Sequence, residues 1–284
     1  MSMSPLCRSN RHFTTVLKPS GSLFVTLGDK FSGAQAQNTK ARNGDDAART
    51  WQQTNPANTG IRNKSLMDLP WRYAIGCIDG QADPDRKGWV LRSEIVWSKP
   101  NGLPESVTDR VRRSHEQWFH FTKEGRYYSA VDELREPHEH PKAIEYRLRK
   151  GAPTKGNKTN TDRGDLGAAN FGGNPLGKLP GSVWTVPTEP LIVPEWVGVD
   201  HFAAFPTEWP RRLILGWSPP DGVVLDPFGG TGTTAMVARS LGRFGVSLDL
   251  SNDYLRLAKW RVFHSGHGAK AVRRTMRERQ GSLL

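Results

Sequence analysis

Apolar residues in this chain come in short blocks set between long polar or glycine-rich stretches. Ser22 to Leu27 (SLFVTL) reads as a buried strand, and Leu17-Lys18-Pro19-Ser20-Gly21 before it as a helix end followed by a turn. The chain thus opens without a domain start, and a helical segment is expected ahead of the strand. Lys64 to Ile78 carries Leu66, Leu69, Trp71, Tyr73, Ala74 and Ile78, the spacing of an amphipathic helix with Pro70 in its first turns. Trp89 to Trp97 and Gln117 to Thr122 are β-branched and aromatic runs that predict two more strands, with a proline-stiffened loop over Lys99 to Ser106 between them. Near the C-terminus, Val223 to Leu225 predicts a strand, Thr233 to Leu241 a helix ended by Gly242, and Arg243 to Leu248 a second strand. Ser251 then suits the N-cap of a helix with Leu255, Ala258 and Val262 on one face, so this stretch is β-α-β-α. Residues 32 to 63 lack apolar periodicity and predict a long loop; no internal repeat is found.

Charge changes the picture. Against 28 acidic residues stand 40 Lys and Arg, a net +12 that points to polyanionic partners. Hydrophobic residues make up 36%, enough for a sizeable core, which excludes disorder throughout. No run approaches a membrane span and no signal-peptide core is present, so a soluble, intracellular protein is expected. Cys7 and Cys77 lack metal-ligand spacing and are expected as free thiols, which excludes a disulfide scaffold and a Cys-based zinc site. His138-Glu139-His140 lies between two prolines and reads as a surface turn, so no metal is expected. Most of the ten tryptophans are read as core or anchor residues. From Glu136 to Pro180 the composition turns to Pro, Gly, Asn and basic residues, among them Arg147, Arg149, Lys155, Lys158 and Arg163. This is either a DNA-facing loop region or a linker, and the Lys270 to Arg279 tail either a phosphate-contacting arm or a frayed helix.

The sharpest chemistry lies at Asp226-Pro227-Phe228-Gly229-Gly230-Thr231-Gly232-Thr233-Thr234. Strand, glycine turn and helix in succession let backbone approach a ligand closely and leave amides of the helix N-terminus unpaired. The acid at the first position suits a cationic or hydroxyl-bearing ligand better than a pyrophosphate. Asp249, at the end of the second strand, stands 23 residues beyond Asp226, near the ~20-residue spacing at which an acid grips ribose hydroxyls in doubly wound sheets. A nucleoside-type cofactor is therefore expected.

This turn resembles the S-adenosylmethionine motif of DNA methyltransferases that modify exocyclic amino groups of adenine or cytosine. His201 to Glu208 (HFAAFPTE) resembles the segment that precedes that motif and lies along the amino-acid end of the cofactor. Lys18 to Val25 with Gly28-Asp29 is similar to the family's fifth-strand segment, and Lys99-Pro100-Asn101, Pro104 to Arg110 and Ser114-His115-Glu116 to its sixth and seventh strand region. The cofactor motif comes last, as in the family's beta arrangement.

The resemblance implies a doubly wound, Rossmann-like α/β sheet built from a catalytic half (1–135), a basic target-recognition insert (136–195), a cofactor-binding half (196–266) and a basic tail (267–284). By it, Asp226, Pro227, Phe228, Gly229, Gly230, Thr231, Gly232 and Thr233 shape the cofactor pocket, Asp249 takes the ribose, and Phe205, Pro206, Thr207 and Glu208 lie along the methionine end. Lys99, Asn101, Arg110, Arg112, Arg113, His115, Lys155 and Lys158 face duplex DNA, and S-adenosyl-L-methionine is the cofactor. One departure is plain: the family's catalytic tetrapeptide, Asp, Asn or Ser followed by Pro-Pro and Tyr or Phe, is missing upstream of the fifth strand. Ser218-Pro219-Pro220 is followed by Asp221 and reads as the turn before the cofactor strand. The central strand that carries the tetrapeptide is thus expected to be absent, with two outcomes open. A second polypeptide or a longer start supplies it, or the chain is a catalytically dead remnant that binds only DNA or cofactor. A small-molecule or protein methyltransferase would leave the basic middle region unexplained.

Overall fold

The computed structural model describes residues 13–32, 60–81, 87–102, 104–138, 174, 176–198 and 205–264. The chain divides into two compact units, residues 1–127 with 182–185, and residues 128–181 with 186–284. Cys7, Lys155, Lys158, the His201 to Ala204 part of the expected cofactor segment and the basic tail lie outside the described residues.

The N-terminal unit is built on β1 (Ser22–Leu27), α1 (Leu69–Ile78), β2 (Val90–Ser98) and β3 (His115–Thr122). They form a sheet in the order β1-β3-β2-β4, in which β4 (Val183–Thr185) runs parallel to β2 and the other pairings are antiparallel. β4 falls inside the segment expected as the recognition insert, and its Val-Trp-Thr sequence suits a strand with Trp184 turned inward. β3 is central and buried on both faces. Phe119 and Phe121 pack with Tyr73, Ala74 and Cys77 of α1 and with Trp89, while Trp118, His120 and Thr122 are buried on the other side. The free thiol of Cys77 is thus a core group.

α1 starts five residues later than the apolar spacing suggests. Lys64 and Asp68 have φ of 64° and 54°, a left-handed backbone that a helix cannot pass through, and Leu66 instead bridges to Phe31. The helix begins where Pro70 is tolerated in its first turn, and the buried carboxylate of Asp29 accepts from the Leu69 amide at 3.1 Å.

His120 yields a prediction about acid stability. Its ring stacks on Phe24 (centroids 4.4 Å apart), meets Tyr127 edge-on and hydrogen-bonds Ser22 Oγ at 2.9 Å. Burial, and then the charge of Arg92, carries its pKa from 6.5 down to about 3. Above pH 6.5 the folded and unfolded chains both hold it neutral; below, the unfolded chain takes up a proton that the folded one refuses. Stability should therefore fall by about 1.4 kcal/mol per pH unit between pH 6.5 and 3 on this account alone. Urea unfolding of His120→Gln at pH 7 and 4.5 should show about 2–3 kcal/mol less acid loss than the unsubstituted chain; an equal loss would refute the assignment.

The C-terminal unit contains α2 (Glu208–Trp217), β5 (Val223–Asp226), α3 (Thr233–Ser240), β6 (Phe244–Ser247) and α4 (Asn252–Phe263). β5 and β6 are parallel, with Val223 opposite Phe244 and Asp226 opposite Ser247. Ile214, Met236, Val237 and Ala238 form a core joined by Val224, Leu241 and Val262. The crossover is tight: a Cβ at Gly245 would come within 2.6 Å of Ala235 Cα. The expected β-α-β-α order, the Ser251 N-cap (Tyr254 N to Oγ, 3.4 Å) and the Pro219-Pro220 turn are present. α2 is an additional element. Pro210 sits in its first turn, where a missing amide hydrogen is harmless, and Trp209, Leu213, Ile214 and Leu215 are buried. The opposite face of the β5–β6 pair carries Val223, Leu225, Phe244 and Val246, all exposed. Among the described residues β5 pairs only with β6, and β1 only with β3.

Candidate active site

The glycine turn at the end of β5 is held by its own side chains. Asp226 Oδ1 accepts from the Phe228 amide at 3.1 Å and Oδ2 from Thr234 Oγ1 at 2.6 Å, so the first acid folds the loop back toward α3. The end of β6 ties in from the side, with Leu248 N donating to Asp226 O (2.9 Å) and Gly229 N to Leu248 O (2.8 Å). Asp249 Oδ2 accepts from Gly230 N at 2.9 Å and Oδ1 from Ser251 N at 2.8 Å. The two acids that the spacing singles out therefore converge on one turn. Each carboxylate oxygen of Asp249 has a further lone pair for a hydroxyl donor.

Steric limits explain the glycines. A Cβ at Gly229 would lie 1.8 Å from Ser247 Oγ, and one at Gly232, where φ is 72°, would lie 2.6 Å from Ala258 Cβ. Gly230 (φ 48°) differs: its nearest neighbour to a Cβ is 3.9 Å away, so the backbone there borders open space. Carboxylate acceptors, an open backbone and the exposed Phe228 ring thus lie on one turn. Such a donor set fits a nucleoside with a cationic side chain, and S-adenosylmethionine is one. Asp226, Asp249 and the Gly229–Gly230 backbone would hold it, and it supplies a methyl group on a sulfonium sulfur.

Two features of this turn have no counterpart in the sequence expectation. Thr234 anchors Asp226, and Arg261 of α4 donates through Nη1 to Thr231 and Thr233. An arginine three residues after Ala258, on the same helix face and among apolar neighbours, was the available signal.

Of the segment along the expected methionine end, Thr207 donates from both its amide and hydroxyl to Glu189 Oε2, at 2.9 and 2.8 Å. Glu208 turns inward to Arg211 and Arg212, so its carboxylate is committed to an ion-pair network within α2. Pro206 is buried and Phe205 half-buried.

Of the residues expected to face DNA, Lys99, Asn101, Arg110, Arg112, Arg113 and His115 belong to the N-terminal unit, in the β2–β3 connection and at the start of β3, while Lys155 and Lys158 lie outside the described residues. Several have internal acceptors. Lys99 pairs with Glu116 and lies over the Trp97 ring, and Arg110 pairs with Glu105 at 2.8 Å and stacks 3.8 Å over Phe31. Arg113 Nη1 donates to the buried Asp29 Oδ2 at 2.8 Å, which makes it a bracket between this loop and the start of α1. Arg112 donates to Gly102 O, while Asn101 and His115 are exposed. Among the described residues no group of His, Cys, Asp or Glu could hold a metal ion, and no helix is long and apolar enough to cross a membrane.

A DNA methylase family of the N6/N4 class matches residues 9–260. The chain belongs to the N6/N4 DNA methylase family. It is 32% identical over 253 residues to the Type II methyltransferase M.SmaI of Serratia marcescens, covering 89% of this chain and 70% of that protein. With the Type II methyltransferase M.XycI of Xanthomonas campestris pv. cyanopsidis it shares 32% over 258 residues, 91% of this chain and 69% of that protein. Among solved structures, the PvuII DNA methyltransferase (cytosine-N4-specific) superposes with a TM-score of 0.57 at 18% identity, over 97% of this chain and 77% of that one. The fold is thus the mixed-sheet α/β fold of the DNA methyltransferases. As a member of this family the protein is a DNA amino-methyltransferase, with S-adenosylmethionine as cofactor and DNA as substrate.

Proposed function

We propose that the chain is the larger part of a site-specific, Type II modification methyltransferase acting on an exocyclic amine of cytosine or adenine in duplex DNA. The observation that carries this is the preformed glycine turn bracketed by Asp226 and Asp249. Asp226 to Thr233 would enclose the cofactor, Asp249 would accept from the ribose hydroxyls, and Phe205 to Thr207 would lie along the methionine end. Glu208 would act there only through its arginines. The exposed Asn101, Arg112 and His115, with the basic 136–195 region, would meet the duplex.

We further propose that the Rossmann-like sheet is completed by a segment carrying the Asp, Asn or Ser-Pro-Pro-aromatic tetrapeptide, supplied by a second polypeptide or a longer product. Three observations support this. The chain contains no such tetrapeptide, β5 and β1 have unpaired edges among the described residues, and the outer face of β5–β6 exposes Val223, Leu225, Phe244 and Val246. The added side chains would orient the flipped base, holding the amine lone pair toward the methyl group.

Calorimetric titration with S-adenosylmethionine tests the first proposal. Asp226→Ala frees both the Phe228 amide and Thr234, and should weaken binding by about tenfold or more, ~1.4 kcal/mol, in a chain whose circular dichroism is unchanged. Equal affinity would remove Asp226 from the site. Methyl transfer to duplex DNA, assayed with and without the product encoded upstream, tests the second. Salt-sensitive DNA binding with neither cofactor uptake nor transfer would favour a remnant that only binds DNA.

A further inference from the structure

α4 turns one face to the glycine turn, and two residues on that face do different work. At Ala258 the helix and the turn touch with no side chain between them, since a Cβ on Gly232 would fall 2.6 Å from Ala258 Cβ. One helical turn on, Arg261 is 5% exposed. Its Nη1 donates to Thr231 O at 3.1 Å, Thr231 Oγ1 at 2.6 Å and Thr233 Oγ1 at 2.7 Å. Two hydrogens serve three acceptors, so one bond is shared.

These acceptors lie on either side of Gly232, the left-handed residue where the turn passes into α3. Both threonines are buried, and their hydroxyls are 3.2 Å apart. A guanidinium is costly to bury, and this one meets it with hydrogen bonds to the turn. Burial pulls its pKa down, while the negative charge of Glu189 acts in the opposite sense. Glu189 is also the acceptor for Thr207, so the same carboxylate serves the Phe205–Glu208 segment.

We propose that Arg261 is a positioning residue for the cofactor turn, setting the affinity for S-adenosylmethionine by holding Thr231 and Thr233 on either side of Gly232. It touches no cofactor in this role; it fixes the backbone that does. The proposal rests on the assignment of the Asp226–Thr233 turn as the cofactor site.

The test is calorimetric titration of the full chain with S-adenosylmethionine, alongside thermal melting. The variants are Arg261→Met, Arg261→Lys, Thr233→Val and the Arg261→Met/Thr233→Val pair. Arg261→Met should melt cooperatively yet raise Kd by about tenfold, Arg261→Lys should recover part of that, and the pair should weaken binding by less than the product of the single effects. A folded Arg261→Met with Kd within about twofold of the unsubstituted chain, or effects that simply multiply, would overturn the proposal. Should Arg261→Met not fold, Thr231→Val and Thr233→Val decide, because they remove only hydroxyls: severalfold weaker binding supports the role, and unchanged binding refutes it. An unsubstituted, folded chain that takes up no S-adenosylmethionine would overturn the cofactor-site assignment instead.

Discussion

Glu208→Ala is expected to destabilise the C-terminal unit by about 3–5 kcal/mol, the range for removing one partner of a buried ion pair. The carboxylate is 6% exposed and receives Arg211 in a fork, Nε to Oε2 and Nη2 to Oε1 both at 2.8 Å, with Arg212 Nε on Oε1 at 2.6 Å. Alanine would leave the Arg211 guanidinium, 8% exposed, without that partner against a helix packed on the core. Urea unfolding should show the single variant less stable than Glu208→Ala combined with Arg211→Met, because the pair removes the buried charge as well. Equal stabilities would mean that the network contributes little.

The same group gives an acid signature. Burial by itself raises its pKa, but the hydrogen bonds and charges of Arg211 and then Arg212 outweigh that and carry it from 4.5 down to about 2. A depressed carboxylate stabilises the fold above its unfolded pKa, and that contribution should drain away as the pH falls from about 4.5 to 2. Glu208→Gln should lack this part of the acid transition. His120 acts over the higher range, from 6.5 down to about 3, so substitutions at the two sites can be told apart by where in the titration each acts.

Gly232→Ala is expected to be the other severe change. At φ 72° a side chain costs about 1–2 kcal/mol relative to glycine, and the new Cβ would also press 2.6 Å from Ala258 Cβ and 2.9 Å from Ala258 Cα. Overlap with helix backbone is not relieved by a rotamer change, and overpacking of this kind adds about 1–3 kcal/mol. S-adenosylmethionine binding should be lost even where the variant folds, because α4 or the turn must move. Gly230→Ala is the contrast. Its backbone is left-handed too, so alanine costs about 1–2 kcal/mol there as well, but open space removes the overlap, so the chain should lose clearly less stability than Gly232→Ala while cofactor affinity drops. If Gly232→Ala melts and binds like the unsubstituted chain, the close seating of α4 on the turn is wrong.

Much of the glycine-turn region was legible in the chain because its determinants are local. A strand, a glycine turn, a helix stopped at Gly242 (φ 72°) and a second strand ending in an acid lie within the 27 consecutive residues from Val223 to Asp249. Each signal there, a β-branched run, a left-handed glycine or a Ser N-cap, acts over one to four residues. What the acids touch was not legible. Asp249 reaches Gly230 across 19 residues, and Arg261 reaches Thr231 across 30.

The basic loop shows the same divide more strongly. Net charge and the run Arg110 to Arg113 point to a polyanion, yet Arg113 spans 84 residues to a buried Asp29 and Arg110 lies over Phe31. A charge count cannot distinguish a cation held for DNA from one that ties the protein's own loops, because the distinction is the identity of the nearest anion. α2 escaped because its Trp-Pro start and Gly-Trp end blur a helical pattern that packing against α3 makes stable. Strand propensity, turns and caps, which depend on neighbours in the chain, placed the elements of this methylase; burial, ion pairing and the seating of α4 under Gly232, which depend on neighbours in space, were decided only by packing within each unit.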